Sequence, residues 1–478
     1  MARAPGSTKF FGVRGGWLVF WITVACGTDM LMFGYDQAVF SGVIVSDDFL
    51  DRLNLRGKTT MISTISAIYA IGCFVGSLIA FTIGERLGRK KSIYIGTTVM
   101  SIGVILMSAS YSLAQLFVGR IILGIGNGIN TATAPIWQTE TAPAKWRGKL
   151  VMLEMWLNIA GFTMVNWINY GVSYVGGGFA WRFPLALQFI FIFIIYATVW
   201  WLPESPRWLV QHNQLDEAHL VLSCLENKDM EDSFVLAQMK EIQYSVQYER
   251  DHAIRWRDLL KKQNEGTKPL RRLVLGAGTQ FIQQFEGINI MSYYLPSVLI
   301  EQVGLSNHTA RLVTGINAIT YLVFSSVAIP LVERWGRRSL MLISTAGQGL
   351  AFLIICILLK YASDGSKSSA TASIPFFFLY YIAFGVGMLG IPWLYPTEIN
   401  SIAMRTKGAA TATATNWITN YAIVQMTPPG INNLGWRFWI VFTVFNAAFM
   451  PVIYFFYPET GKLASALPVS SESPLTHA

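Results

Sequence analysis

Charge is what this sequence has least of. Only 13% of its 478 residues are Asp, Glu, Lys or Arg, while 53% are hydrophobic. Soluble domains carry roughly 25% charged residues, so an ordinary water-solvated globule is excluded. Cysteine is scarce as well. Cys26, Cys73, Cys224 and Cys356 are scattered, and their spacing suggests neither a disulfide framework nor a metal site. The five histidines (His212, His219, His252, His308 and His477) lie outside the apolar runs and cluster with no nucleophile, which argues against an enzyme. Nothing has the form of a phosphate loop, so ATP hydrolysis has no support and no cofactor is expected.

Apolar runs are what the sequence has instead, many long enough to cross a bilayer as helices and not alternating as β-strands would. Twelve spans are expected, near 17–45, 60–82, 92–109, 113–136, 150–172, 183–202, 271–299, 308–331, 339–360, 374–396, 407–427 and 435–457. The net charge of +9 is no nucleic-acid signature, because the basic residues alternate by loop. Their excess marks the cytoplasmic side and puts both termini there. The first run is too long for a signal-peptide core and should remain as an anchor. Asn307-His308-Thr309 is a sequon on the expected outer side.

The chain also repeats itself. "GERLGRK" returns as "VERWGRR", so that Glu85 and Arg89 correspond to Glu333 and Arg337. "PIWQTETAPAKWRG" returns as "PWLYPTEINSIAMRTKG", matching Glu140 and Arg147 to Glu398 and Arg405. "WRF" recurs, and "PESPRWL" is echoed by "PETGKL", matching Glu204 to Glu459. The order is the same throughout. Two like halves imply a pseudo-two-fold axis along the membrane normal with a pathway between them. The expected architecture is therefore an all-α membrane protein of twelve transmembrane helices in two six-helix halves. Its parts are a cytoplasmic segment 1–16, the first half 17–202, a linker of short amphipathic cytoplasmic helices 203–268, the second half 269–458 and a tail 459–478.

The repeated charges lie at cytoplasmic helix ends, Arg89, Arg147, Arg337 and Arg405 against Glu140, Glu204, Glu398 and Glu459, with Glu85 and Glu333 beside them. Arg can bind carboxylate in a bidentate way there, across helices or between halves. Pairs formed only when that mouth is shut would latch it.

Solute sites inside a bundle need polar groups. Side-chain amides both donate and accept, which suits hydroxyls. They are densest in "QFIQQFEGINIMSYYLP", where Gln283, Gln284 and Asn289 surround Gly287, a point of close approach or unwinding, and Tyr293 and Tyr294 follow as candidate gates. Gln280 shares a face with Gln283 but is read as lying near the helix start.

A lone acid, Asp36, interrupts "MLMFGYDQAVFSGVIV". At 1.5 Å per residue it lies roughly 14 Å below the outer end of its helix, and Arg120 lies about 10 Å down another. Arg120 is read as the one basic residue buried in a span, so the two are expected to pair. A carboxylate whose partner leaves on helix separation takes up a proton, which would couple solute movement to the proton gradient. Asp29, two turns deeper on the same face, is the rival acid, and Glu286 has no assigned role.

Taken in order, "GYDQAVFSG", "GERLGRK", "VGRIILGIGNG", "PIWQTETAPAKWRG", "PESPRWL", "QQFEGIN", "VERWGRR", "PWLYPTEI" and "PETG" resemble the sugar porters of the major facilitator superfamily, most of all the fungal branch. The resemblance implies proton symport of a sugar by alternating access, with an acid at Asp36 as in proton-coupled members. It makes Gln283, Gln284 and Asn289 hexose ligands and puts Trp393, Asn416 and Trp417 at the site by spacing. Two positions depart from the pattern. Met155 stands where hexose carriers usually have a glutamine, and Tyr321 where they have an asparagine, with Asn317 one turn away; Glu154 and Asn158 are candidates to compensate. A pentose, polyol, disaccharide or sugar acid is thereby kept open beside a hexose. A passive facilitator is the alternative, and a sensor is disfavoured by the short tail. The partners implied are a small sugar, a proton and the lipid bilayer, with no metal and no nucleic acid. The expected form is a monomer in the plasma membrane.

Overall fold

The computed structural model describes residues 9–143, 146–252, 256, 259, 268–401 and 404–460. Expectations for 1–8 and 461–478, within the terminal segments, and for 260–267 of the linker lie outside the described residues. Every regular element among those described is helical.

The first six spans are α1 (Gly16–Val43), α2 (Thr59–Leu87), α3 (Arg89–Ser108), α4 (Leu113–Thr141), α5 (Arg147–Val172) and α6 (Phe179–Val199). The seventh is broken into α7 (Pro269–Phe285) and α8 (Ile288–Glu301), each too short to cross a bilayer alone. Then follow α9 (Asn307–Trp335), α10 (Arg337–Ser363), the broken tenth span α11 (Ile374–Gly387) and α12 (Ile391–Ile399), α13 (Arg405–Leu434) and α14 (Phe438–Phe456). Ten stretches are long and apolar enough to span a membrane; the last holds both α13 and α14, and α7 with α8 completes the twelve.

Polarity in this bundle runs opposite to that of a soluble one. Asp29, Asp36, Arg120, Asn130 and Glu154 are fully buried, whereas Ile105, Phe193, Val323, Leu350 and Phe455 point outward and are exposed. An apolar surface that extensive is stable only against lipid.

The repeat is visible in the packing. α1 packs on α5 as α7 does on α13; α2 and α3 pack on α4 as α9 and α10 do on α11. The halves meet through α2 with α13 and α5 with α9, two seams related by the same symmetry. Between helices, association rests on close packing, because lipid removes the hydrophobic drive. The tightest seam is α1 against α5: a Cβ on Gly34 would stand 1.7 Å from the Asn158 carbonyl oxygen, and one on Gly161 1.9 Å from that of Leu31.

Short helices Pro206–Gln211, Leu215–Glu226 and Ser233–Asp251 lie beneath the first half, on the face that carries the described chain ends. Leu209, Val221, Leu222 and Val235 pack with Leu18, Ile22 and Val199. The Gly15 N–H donates to the Cys224 carbonyl at 2.7 Å, and Trp208 Nε1 donates to the Glu85 carbonyl at 2.7 Å.

Candidate functional site

The break in the seventh span sets the first group of side chains. Gly287 has φ +96°, a left-handed conformation that a side chain would strain, and a Cβ there would meet Phe352 at 2.9 Å. Glu286 holds the break in place. Its carboxylate accepts from Thr345 Oγ1 at 2.6 Å and Gln348 Nε2 at 3.1 Å, and its carbonyl accepts from Tyr380 at 3.1 Å. The acid without a role in the sequence is thus a structural anchor.

Around the break the amides form one network. Gln283 Nε2 donates to the Met388 carbonyl at 2.6 Å, and Gln284 Nε2 to Gln283 Oε1 at 3.4 Å. Asn289 Nδ2 donates to Gln284 Oε1. Asn416 Nδ2 reaches Gln280 Oε1 at 2.6 Å and Gln283 Oε1 at 3.3 Å, while Gln280 Nε2 donates to the Pro392 carbonyl at 2.8 Å. Gln280 is therefore no helix-start residue; it is the centre that ties α7 to α12 and α13. The i, i+3 spacing with Gln283 was the available signal. Replacing Gln280 with Ala should free Asn416 and lower solute affinity about tenfold, roughly one hydrogen bond's worth, read as KM for uptake; unchanged KM would remove it from the site.

Aromatic rings complete the seam. Trp417 is fully buried, edge-on to Phe33 at 5.5 Å and to Tyr69 at 6.3 Å, so α13 of one half wedges between α1 and α2 of the other. Its Nε1 has no partner among the described residues. Trp393 is only half-buried, at the edge of the core. Tyr321 packs on Tyr381 at 4.9 Å, Phe162 at 5.9 Å and Phe384 at 6.1 Å. Asn317, one turn earlier, is buried with neither amide atom bonded. Tyr293 and Tyr294 are buried; Tyr294 donates to the Val424 carbonyl at 3.1 Å and lines a cavity of about 440 Å³ on the face opposite the linker, with Leu50, Ile62, Glu301 and Pro428.

Asp36 and Arg120 are both fully buried and within electrostatic reach, but the expected ion pair is not made. Arg120 donates instead to the carbonyls of Ile65 at 3.2 Å and Ser66 at 3.0 Å. Its guanidinium lies 3.9 Å from the Phe40 ring centroid and 4.6 Å from that of Tyr69. Neither Asp36 oxygen has a hydrogen-bond partner among the described residues, although Tyr69 and Gln188 stand beside it. Aromatic faces and two carbonyls thus engage the cation, while its Nη1 and both Asp36 oxygens have no hydrogen-bond partner among the described residues.

Asp29 is held differently, accepting from Asn130 Nδ2 at 2.8 Å. Glu154 stands near it, buried and unbonded. Asn158, a candidate to compensate for Met155, donates its amide to the Met30 carbonyl at 3.3 Å.

The repeated motifs form two copies of one device on the linker face. Arg89 grips Glu140 through Nε and Nη2 at 2.9 and 2.8 Å, while Glu204 accepts the backbone N–H of Arg89 at 3.0 Å and of Lys90 at 3.2 Å. Arg337 grips Glu398 at 3.1 and 2.7 Å, and Glu459 accepts the N–H of Arg337 at 2.8 Å and of Arg338 at 3.1 Å. Burial pushes the Glu204 carboxyl up from its ordinary range, opposed by the N–H groups of Ser205, Arg89 and Lys90.

In this structure each pair joins helices of one half, and neither bridges the two halves. Arg147 and Arg405 are also not partners of Glu140 and Glu398 in ion pairs. They lie among linker charges instead, Arg147 near Glu241 and Arg207, Arg405 near Arg207 and Glu249, with Arg207 and Glu249 paired at 2.5 Å. Glu85 and Glu333 are exposed and in no ion pair among the described residues. Glu140→Gln and Glu398→Gln should therefore cost similar amounts, about 2 kcal/mol each for a charged hydrogen bond, seen as matched losses in thermal unfolding of purified protein. A loss confined to one would break the equivalence.

Hydrogen bonds between the halves occur at mid-depth and on the opposite face. Thr163 Oγ1 donates to the Ala318 carbonyl at 3.0 Å. Further out, Asn307 Nδ2 donates to the Val45 carbonyl at 2.8 Å, and Gln425 Nε2 to Thr64 at 3.1 Å. Arg311 bonds Asn307 Oδ1 at 2.7 Å and the Asn169 carbonyl at 3.0 Å. Arg311 is a second buried cation, so Arg120 is not alone. The amide of the sequon residue Asn307 is engaged in this contact.

These features can be set beside known proteins. Residues 21–464 match the profile of the "Sugar (and other) transporter" family. The chain belongs to that family. The MFS-type transporter oryC of Aspergillus oryzae is 65% identical over 457 residues, covering 95% of this chain and 85% of its own length. The sugar transporter STL1 of Saccharomyces cerevisiae is 33% identical over 466 residues, covering 95% and 81%. The structure of the proton:xylose symporter XylE bound to 6-bromo-6-deoxy-D-glucose superposes with a TM-score of 0.78 at 25% identity, covering 94% of this chain and 98% of its own. The protein is thus an all-α, multi-pass sugar transporter of the major facilitator superfamily and not an enzyme.

Proposed function

We propose that this transporter carries a small sugar-like solute by proton symport, with Asp36 as the proton carrier. The observation that supports this is the burial of Asp36: an ionised carboxylate, fully buried and with no hydrogen bond formed to either oxygen, costs several kcal/mol. In this conformation Asp36 is read as carrying its proton while Arg120 rests on the Ile65 and Ser66 carbonyls. When Arg120 swings back to Asp36, the ion pair replaces the proton, which leaves. Tyr69 joins the two events, because its ring lies under the Arg120 guanidinium and also makes an edge-type contact with Trp417. Solute bound to Gln280, Gln283, Gln284, Asn289 and Asn416 beside Trp417 would move Tyr69, and with it the cation.

The linker face is assigned to the cytoplasm on the distribution of Lys and Arg, and the membrane to the plasma membrane. The Asn307–Val45, Arg311–Asn169 and Gln425–Thr64 bonds then close the outer mouth. The halves 17–202 and 269–458 rock about the seam, and a single copy suffices. The xylose and proton named for XylE fit this reading. Uptake of labelled hexoses, pentoses, polyols and disaccharides into vesicles containing the purified chain, at two external pH values and with a protonophore, tests it. Accumulation of one class that the protonophore collapses is expected; uptake that only equilibrates would make the chain a passive carrier.

A further inference from the structure

The two sides of the central seam differ in chemistry. On the second half stand the amides already described. On the first half, α5 packs on α9, and its stripe Met152, Met155, Ile159 and Phe162 follows the i, i+3, i+7, i+10 spacing of one helix face. That stripe meets the second half directly. Met152 lies 3.0 Å from where a Cβ on Gly390 would be, at the break between α11 and α12, and Phe162 packs edge-on against Tyr321. Met155, Ile159 and Phe162 are buried. No polar side chain interrupts the stripe; Asn158, beside it, turns its amide to the Met30 carbonyl on α1.

The apolar wall continues across the seam. Phe162, Tyr321, Tyr381 and Phe384 are in ring contact, and Phe384 is one turn from Met388, whose carbonyl holds Gln283. Wall and amides therefore meet at the break between α11 and α12, where Gln283 Nε2 donates to the Met388 and Leu389 carbonyls and Met152 approaches Gly390. A solute hydroxyl turned onto Met155, Ile159 or Phe162 would lose its water without finding a donor or acceptor on that stripe, which is unfavourable. The Asn317 amide and Tyr381 hydroxyl, unpartnered among the described residues, belong to α9 and α11.

We infer that the solute is amphipathic: a hydroxyl-bearing ring with one deoxygenated or O-alkylated side, seated with that side on Met155, Ile159 and Phe162 and with its hydroxyls on the amides of the second half. This rests on the reading of the amide cluster as the solute site. A sugar hydroxylated all round is the poorer ligand.

Quenching of tryptophan fluorescence in the purified full chain tests it, with Trp417 at the seam as reporter. The probes are D-glucose and D-xylose against 6-deoxy-D-glucose and methyl D-glucoside. The deoxy or O-methyl probes should bind at least about tenfold tighter, as one apolar group in an apolar pocket allows. Met155→Gln should narrow or reverse that ratio, and Met155→Leu should keep it. Equal or tighter binding of glucose, with a ratio untouched by Met155→Gln, overturns the inference and leaves the sugar site standing. If neither class binds to protein that still unfolds cooperatively, the sugar site falls, and this inference with it.

Discussion

Asp36→Asn is expected to abolish concentrative uptake and to leave solute exchange in place. One proton moving with the solute adds about 2.3 kcal/mol per 100 mV, which supports roughly fifty-fold accumulation. The variant should bring the accumulation ratio down to about one and make uptake insensitive to a protonophore. Asparagine keeps the shape and cannot carry the proton. Because neither carboxylate oxygen is hydrogen-bonded in this conformation, the change breaks no hydrogen bond formed here, so a folding defect is not the expected reason for lost accumulation. Counterflow of preloaded solute provides the control. A variant that still accumulates fully would take Asp36 out of the coupling, leaving Asp29, with its Asn130 partner, as the acid to examine.

The largest effect on stability is expected at Gly34. A methyl there would stand 1.7 Å from the Asn158 carbonyl oxygen, 2.6 Å from its carbon and 3.0 Å from its Cα, all backbone atoms of α5. No rotamer change relieves such an overlap, so α1 and α5 must separate. The cost should be about 3 kcal/mol or more, the upper part of the range for overpacking. Gly34→Ala should therefore lose most of its folded yield, or several degrees of Tm. Gly171→Ala, on the same α5 helix with nothing within 4 Å, should be neutral or slightly stabilising. If both variants behave alike, the seam is looser than described.

Several features were legible before the structure. Span positions follow from runs of apolar residues, because the bilayer sets the length. The break at Gly287 could be read from a glycine among amides, and the two Arg–Glu devices from repetition. Other features were not legible, each for a geometric reason. Arg147 and Arg405 follow Glu140 and Glu398 closely in sequence, yet they begin a new helix and turn toward the linker, whose path no periodicity predicts. Arg120 lies at the right depth for Asp36, but depth does not say that Phe40, Tyr69 and two carbonyls would engage it first. Gln280 and Phe162 matter through helices more than 100 residues away in the chain.

From its residues alone this chain is committed to lipid, to helices, to two like halves and to buried charges that need neighbours. Hydropathy and repetition are properties of a linear string, so they survive reading in one dimension. Which face of each helix meets which other helix is settled by packing, where glycines admit close approach and larger side chains forbid it. That choice engages Arg120 away from Asp36, encloses each Arg–Glu grip within its own half, and gathers the amides of α7, α8 and α13 into one network.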